Sequence, residues 1–182
     1  TVYAFSTENL RRPSEEIQHL MHLFAENFRK VGDDERVHRH RIRINVFGDR
    51  ELLPTEVIEA IEYAEARTKE YDSYRFNLAV AYGGREEILQ AIRDVVRDAQ
   101  AGKVDAHDID EKFFSKRLYT ADLPDPDLVL RTSGEERISN FLLWQLAYSE
   151  LYFVDVYWPG FRKIDFLRAL RSYQMRQRRY GE

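Results

Sequence analysis

Apolar residues change their spacing several times along this chain, and each change marks an element. TVYAF, residues 1–5, is a short apolar run suited to a buried strand. Pro13 marks a helix start, with Ser14 and Glu16 beside it. Ile17, Leu20, Met21, Phe24 and Phe28 then recur at helical spacing over 14–31 and give one apolar face, until Gly32-Asp33-Asp34 breaks the helix. From Arg41 to Phe47 charged and apolar residues alternate, which predicts a strand with one wetter face. Pro54 and Thr55 open a second helix carrying Val57, Ile58, Ile61 and Ala64. Tyr74 to Tyr82 is the next strand. Gly83-Gly84 turns it into a helix with Ile88, Leu89, Ile92, Val95 and Val96 on one side, and Gly102 ends that helix.

The second half is more broken. Residues 106–119 hold a shorter helix, with Asp108 as its expected cap. Leu123-Pro124-Asp125-Pro126 is a rigid linker. A strand at 127–131, a polar loop, an apolar segment at 140–148, a strand at 151–156 and a last helix from Lys163 complete the order. Strands that alternate with long helices predict an α/β fold, a single domain with a mostly parallel central sheet flanked by helices. No internal repeat or low-complexity tract interrupts it.

Composition narrows the class. At 182 residues and 43% hydrophobic, the chain suits one domain with one sizeable core. Its net charge of −4 gives no overall cationic field to favour nucleic acid. No run of about 18 apolar residues is present, so no segment reads as a transmembrane helix. The absence of cysteine excludes disulfides and thiolate metal sites, and fits an intracellular protein. Arginine outnumbers lysine, which leans towards a thermophilic source.

The candidate chemistry gathers in two stretches. In DLVLRTSGEERISN, Arg131 and Arg137 bracket Thr132, Ser133 and Gly134, and Ile138 and Ser139 follow, just past a strand. Fork-shaped cations with small hydroxyls suit a diphosphate, and the carboxyl end of a strand is where open α/β sheets place ligands. Surface pairing of these arginines with Glu135, Glu136 and Glu150 accounts for the composition equally well. In the other stretch Ser6, Thr7, Glu8, Asn9 and Arg12 follow the first strand. They read either as an oxyanion-holding turn or as an ordinary helix cap. His19, His22, His38 and His40 read as solvated side chains rather than a metal site, because no clustered carboxylate supports them.

The order of these residues carries a resemblance. YAFSTENLRRP at 3–13, RTSGEERISNFLLWQ followed by AYSELYF and WP, and a closing RRYG are similar to the signatures of the cis-prenyltransferases, the undecaprenyl diphosphate synthase family, and the match covers nearly the whole chain. The resemblance implies a magnesium-dependent enzyme with a hydrophobic tunnel. It would add isopentenyl diphosphate units to an allylic starter, farnesyl or geranylgeranyl diphosphate, to make a long-chain polyprenyl diphosphate for glycosyl carrier lipid. Carried over by position, Ser6, Thr7 and Glu8 lie by the allylic substrate, Arg12 contacts substrate, and Asn9 takes part in proton removal. Glu16 matches an acidic position near the active centre. Arg131, Arg137, Ile138 and Ser139 match the segment that binds the isopentenyl diphosphate. Glu150 matches a carboxylate associated with magnesium, and Arg179 and Gly181 match an R-x-G ending that reaches the neighbouring subunit of a homodimer. Phe24, Phe28, Tyr74 and Phe76 are candidates for lining the tunnel.

Leu10 departs from the family, which commonly has an aromatic there. The family's amino-terminal M-D-G-N loop, which binds the allylic diphosphate and supplies a magnesium-binding aspartate, matches nothing in residues 1–182. Those residues are therefore read as one cis-prenyltransferase domain without its first strand and that loop, and as turning over negligibly by themselves. The resemblance further implies a homodimer at the cytoplasmic face of the membrane, associated peripherally. Two rival readings remain: a non-catalytic accessory subunit of a heteromeric cis-prenyltransferase, and a nucleotide-binding α/β module. The first is disfavoured because both internal motifs are kept, the second because neither G-x-G-x-x-G nor a P-loop is present.

Overall fold

A computed structural model describes residues 1–176 of the chain. It divides into two compact units, Thr1–Ala121 and Asp122–Glu182.

In the first unit the strands β1 (Val2–Ser6), β2 (Ile42–Phe47) and β3 (Tyr74–Tyr82) form a sheet in the order β1-β3-β2, every neighbouring pair parallel. Helices α1 (Ser14–Gly32), α2 (Glu35–Arg39), α3 (Thr55–Thr68), α4 (Gly84–Gln100) and α5 (Glu111–Ser115) complete it. The strands and the two long helices α1 and α3 form where the apolar spacing places them. Glu15 and Glu16 in the first turn of α1 and Arg29 and Lys30 in its last suit the helix dipole. Along α1 the buried residues are Met21, Ala25, Phe28 and Gly32, one stripe at helical spacing.

That stripe meets Val57, Ala60, Ile61 and Ala64 of α3 and the sheet residues Phe5, Ile44, Val46 and Val80 in one core. The small residues Ala25, Ala60 and Ala64, all fully buried, occupy that core beside the larger rings. Phe28 stacks on Phe24, which meets Phe5 edge-on at 5.8 Å. Phe24 and Phe28 are thus packed core side chains, whereas Tyr74 is 64% exposed.

The edge strand β2 is protected by α3. The Ile44 N–H donates to the Thr68 hydroxyl at 3.1 Å, and that hydroxyl donates to the Ala64 carbonyl. The Val46 N–H donates to Glu65 Oε1 at 2.8 Å, and Arg50 holds Glu65 Oε2 at 2.7 Å. Side chains therefore occupy backbone donors that would otherwise template another strand. Past β2, Gly48 has φ +137°, and a Cβ there would lie 1.9 Å from the Val80 carbonyl oxygen, so only glycine lets the chain leave the sheet this way.

Three details differ from the sequence expectation. α2 went unread, because its five residues are too few to show a period; Asp34 caps it by accepting from the Arg36 N–H. The helix expected within 106–119 is a 3-10 turn at Ala106–Asp108 followed by α5, and its cap is Asp110, which accepts from the Phe113 N–H at 2.7 Å. In α4 the buried positions are Gly84, Glu87, Ala91 and Val95, while Leu89, Ile92 and Val96 are 45–49% exposed. The buried face is therefore rotated one residue from the expected apolar side.

In the second unit β4 (Leu128–Arg131) and β5 (Glu150–Phe153) pair in parallel, and α6 (Lys163–Met175) follows. Parallel strands with helices against them are the expected α/β class, distributed over a three-stranded and a two-stranded sheet.

Candidate functional site

The first group of candidate residues occupies the 3-10 turn Thr7–Arg11 that leaves the end of β1. Asn9 folds back in a capping-box arrangement, its Oδ1 accepting the Ser6 N–H at 2.9 Å. That bond commits the amide oxygen to the turn, so the amide offers its NH2, a donor, to anything outside. The Thr7 hydroxyl reaches Glu8 at 3.4 Å. Arg12 pairs with Glu16 one helical turn on at 2.6 Å, with both side chains about half exposed. A pair so open to water is weak and easily exchanged for a ligand.

Beneath this turn lies a network that the sequence reading missed. Tyr82 is fully buried and donates to Glu87 Oε2 at 2.6 Å, while Glu87 Oε1 accepts the Tyr119 N–H at 2.9 Å. Glu87 is 2% exposed, which such bonding to both oxygens makes tolerable. Its only sequence signal is its place at i−4 from Ala91 and i−8 from Val95 on the buried stripe. A cavity of about 550 Å³ opens beside the end of β2, lined by Gly48, Asp49, Arg50, Asp94, Arg117 and Tyr119 among others. Burial, then the carboxylates of Asp49, Glu87, Asp94 and Glu51, push the Tyr119 hydroxyl up from its usual range.

The second group lies in the loop between β4 and β5. Arg131, the last residue of β4, donates to the Ser139 hydroxyl at 2.7 Å and to the Arg137 carbonyl. One guanidinium thus pins the loop's far side. Arg137 is exposed and pairs with Glu135; Ile138, between the two ligand candidates, is half-buried. The backbone is strained: Ser133, Gly134, Ser139, Asn140 and Leu142 all have positive φ. At Gly134 the angle is +68°, and a Cβ would sit 2.9 Å from Asp155 Oδ1. Such clustered outliers persist only where surrounding bonds enforce them. Here the Ser133 and Gly134 N–H groups donate to the Val156 and Val154 carbonyls at 2.9 and 3.0 Å.

Glu150 stands at the other end of this small sheet, opposite Leu128, three ladder positions or roughly 10 Å from Arg131 along the strands. Its Oε2 accepts from Arg176 at 2.5 Å. Among the described residues no cluster of three or more His, Cys, Asp or Glu could hold a metal. A lone carboxylate nevertheless suits magnesium, which takes one or two carboxylates and completes its shell with phosphate and water. Arg179 and Gly181 lie outside the described residues. His38 is not solvated as expected: it is half-buried, with Nδ1 2.9 Å from the Tyr71 hydroxyl. No helix among the described residues is long and apolar enough to cross a membrane.

Two turns at the carboxyl ends of parallel strands carry the candidate groups, an amide in the first unit and an arginine with a serine in the second. The chain belongs to the undecaprenyl diphosphate synthase family, whose family model (Prenyltransf) matches residues 1–181. It is 54% identical over 184 residues to the tritrans,polycis-undecaprenyl-diphosphate synthase (geranylgeranyl-diphosphate specific) of Methanocaldococcus jannaschii, covering 100% of this chain and 66% of that protein. To the protein of the same name from Thermococcus kodakarensis it is 58% identical over 181 residues, covering 100% of this chain and 69% of that one. It thus spans about two thirds of the length of these relatives. Among solved structures it is similar to lavandulyl diphosphate synthase from Lavandula x intermedia in complex with dimethylallyl diphosphate, with a TM-score of 0.94 and 39% identity over 99% of this chain and 77% of that one.

Proposed function

We propose that this chain is the prenyl-transferring part of a cis-prenyltransferase, which adds isopentenyl diphosphate units in sequence to an allylic diphosphate. The observation that carries the reading is the family match across residues 1–181, which takes in both turns. The names of the two archaeal relatives favour geranylgeranyl over farnesyl diphosphate as the starter. The product is a long polyprenyl diphosphate, a precursor of glycosyl carrier lipid.

In each cycle diphosphate departs from the allylic carbon as positive charge develops there. The isopentenyl double bond attacks that carbon, and one proton is lost to leave a new cis double bond. Arg131, Arg137 and Ser139 hold the isopentenyl diphosphate, since guanidinium forks match its oxygens in pairs. Ser6, Thr7, Glu8 and Arg12 border the allylic partner. Asn9 presents its NH2 and is a poor base, so it holds the acceptor while the proton passes to a phosphate oxygen or water. Glu150 would hold magnesium once Arg176 gives way. An ion held by Glu150 would supply positive charge to offset a diphosphate. The growing chain runs into an apolar tunnel beside α1, where each buried methylene contributes about 0.8 kcal/mol.

The working form is a homodimer. It sits peripherally at the cytoplasmic face of the membrane. The test is to incubate full-length protein with magnesium, labelled isopentenyl diphosphate and each starter, and to size the products. Long cis-polyprenyl products, best with geranylgeranyl diphosphate, are expected. No incorporation with either starter would overturn the reading, and activity only with a second chain would make this one an accessory subunit.

A further inference from the structure

The Ser6–Asn9 turn is fastened to its unit by a tyrosine three residues upstream. The Tyr3 hydroxyl donates to the Tyr82 carbonyl at 3.0 Å, joining residues 79 apart in the chain. Its ring meets the Tyr82 ring edge-on, with centroids 5.9 Å apart and planes at 79°. Tyr82 is a firm anchor: it is fully buried, its ring packs on Phe47 at 5.2 Å, and its own hydroxyl is held by Glu87.

The link falls where the ladder is irregular. The register between β1 and β3 shifts on both sides of Phe5, and Ala81, just before Tyr82, has φ 49°. These shifts let Phe5 join Phe24 in the core while Tyr3 meets Tyr82. They also break the regular pairing just ahead of the turn, so that the ladder holds the turn's start by the single resumed pair of Ser6 with Tyr82 and the Tyr3 bond to the same Tyr82 reinforces it. The hydroxyl must stay protonated to donate. Burial, then the Glu8 carboxylate, push its ionisation up to about 12, against a bond from the Ser6 hydroxyl that pulls the other way.

From these contacts we infer that Tyr3 is a positioning residue: by bonding the Tyr82 carbonyl it fixes the Ser6–Asn9 turn, so that Asn9 keeps its carbonyl on the Ser6 N–H and its NH2 facing outward. Its catalytic consequence rests on the prenyl-transfer reading above.

In the full-length protein, Tyr3→Phe removes the hydroxyl alone. Its kcat for isopentenyl incorporation is expected to fall about tenfold, with KM for isopentenyl diphosphate within about twofold, as the loss of one orienting hydrogen bond implies. In an Asn9→Ala background the same change should do nothing further, because Tyr3 acts through the turn. Hydrogen exchange gives a readout independent of turnover. The Ser6 amide should exchange about tenfold faster in Tyr3→Phe, while the Ile44 amide in the same unit should not change. If Tyr3→Phe fails to fold, a fluorinated tyrosine at position 3 keeps ring and hydroxyl but ionises more readily. It should speed Ser6 exchange, beyond the intrinsic pH trend, at a lower pH than wild type does.

An inactive wild type would sink the prenyl-transfer reading only, leaving the positioning role to the exchange measurement. Unchanged Ser6 exchange, or equal fractional losses of kcat with and without Asn9, would overturn the inference.

Discussion

The turn after β1 and the loop between β4 and β5 hold the candidate ligand groups, and they are stabilised in opposite ways. The first closes its own hydrogen bonds through Ser6 and Asn9 and stands on a sheet whose Phe5 side is packed against α1. The second has five residues with positive φ, including the buried Leu142, and is held by one arginine and by bonds to the chain past β5. A group that only orients an amide can be fixed by local capping. The guanidinium and hydroxyl groups instead stand in a strained, partly exposed loop, where Arg137 has only a weak surface partner and would stay accessible to the charged ligand proposed above.

The strongest way to break this contrast is to remove the packing under the first turn. Phe28→Ala deletes a ring that is 3% exposed and should cost about 3–5 kcal/mol in urea unfolding. A loss below about 1 kcal/mol, the scale of a surface substitution, would mean the ring is not core. Next is the loop: Gly134→Ala forces a Cβ into a left-handed residue against Asp155, and should cost about 1–3 kcal/mol. Its effect should appear more in isopentenyl diphosphate affinity than in the melting temperature, and the reverse would mean that the loop is mere scaffold.

The smallest effect belongs to pH. Tyr3 ionises at about 12 in the folded chain against 10.0 ordinarily, so folding favours its neutral form. That contribution is complete below about 10 and is lost as pH rises towards about 12. The urea midpoint of wild type should therefore converge on that of Tyr3→Phe over this range, and a gap that widens would contradict the assignment.

Much of this was legible in the sequence because it follows from spacing. The strand at Tyr74–Tyr82 and the helix from Ser14 have the limits that Gly83-Gly84, Pro13 and the Gly32-Asp33-Asp34 break imply. α4 shows where spacing misleads. Leu89, Ile92 and Val96 mark one face, yet Glu87 and Ala91 are buried, because Tyr82 and the Tyr119 N–H supply the bonds a buried carboxylate needs. A pattern of apolar residues cannot anticipate a charge rescued by partners 5 and 32 positions away. The two turns were visible as motifs, but the Tyr3 link was not, since a hydrogen bond to a backbone carbonyl 79 residues on leaves no composition signal.

Central to the account is the claim that the loop after β4 holds the isopentenyl diphosphate, with Arg131 as its pin. Calorimetric titration of isopentenyl diphosphate, with magnesium present, into wild type and Arg131→Ala tests this without requiring turnover. A loss of affinity of about tenfold to a hundredfold is expected, as for a hydrogen bond to a charged group, with the melting temperature little changed. Equal affinity in the two proteins would contradict the account.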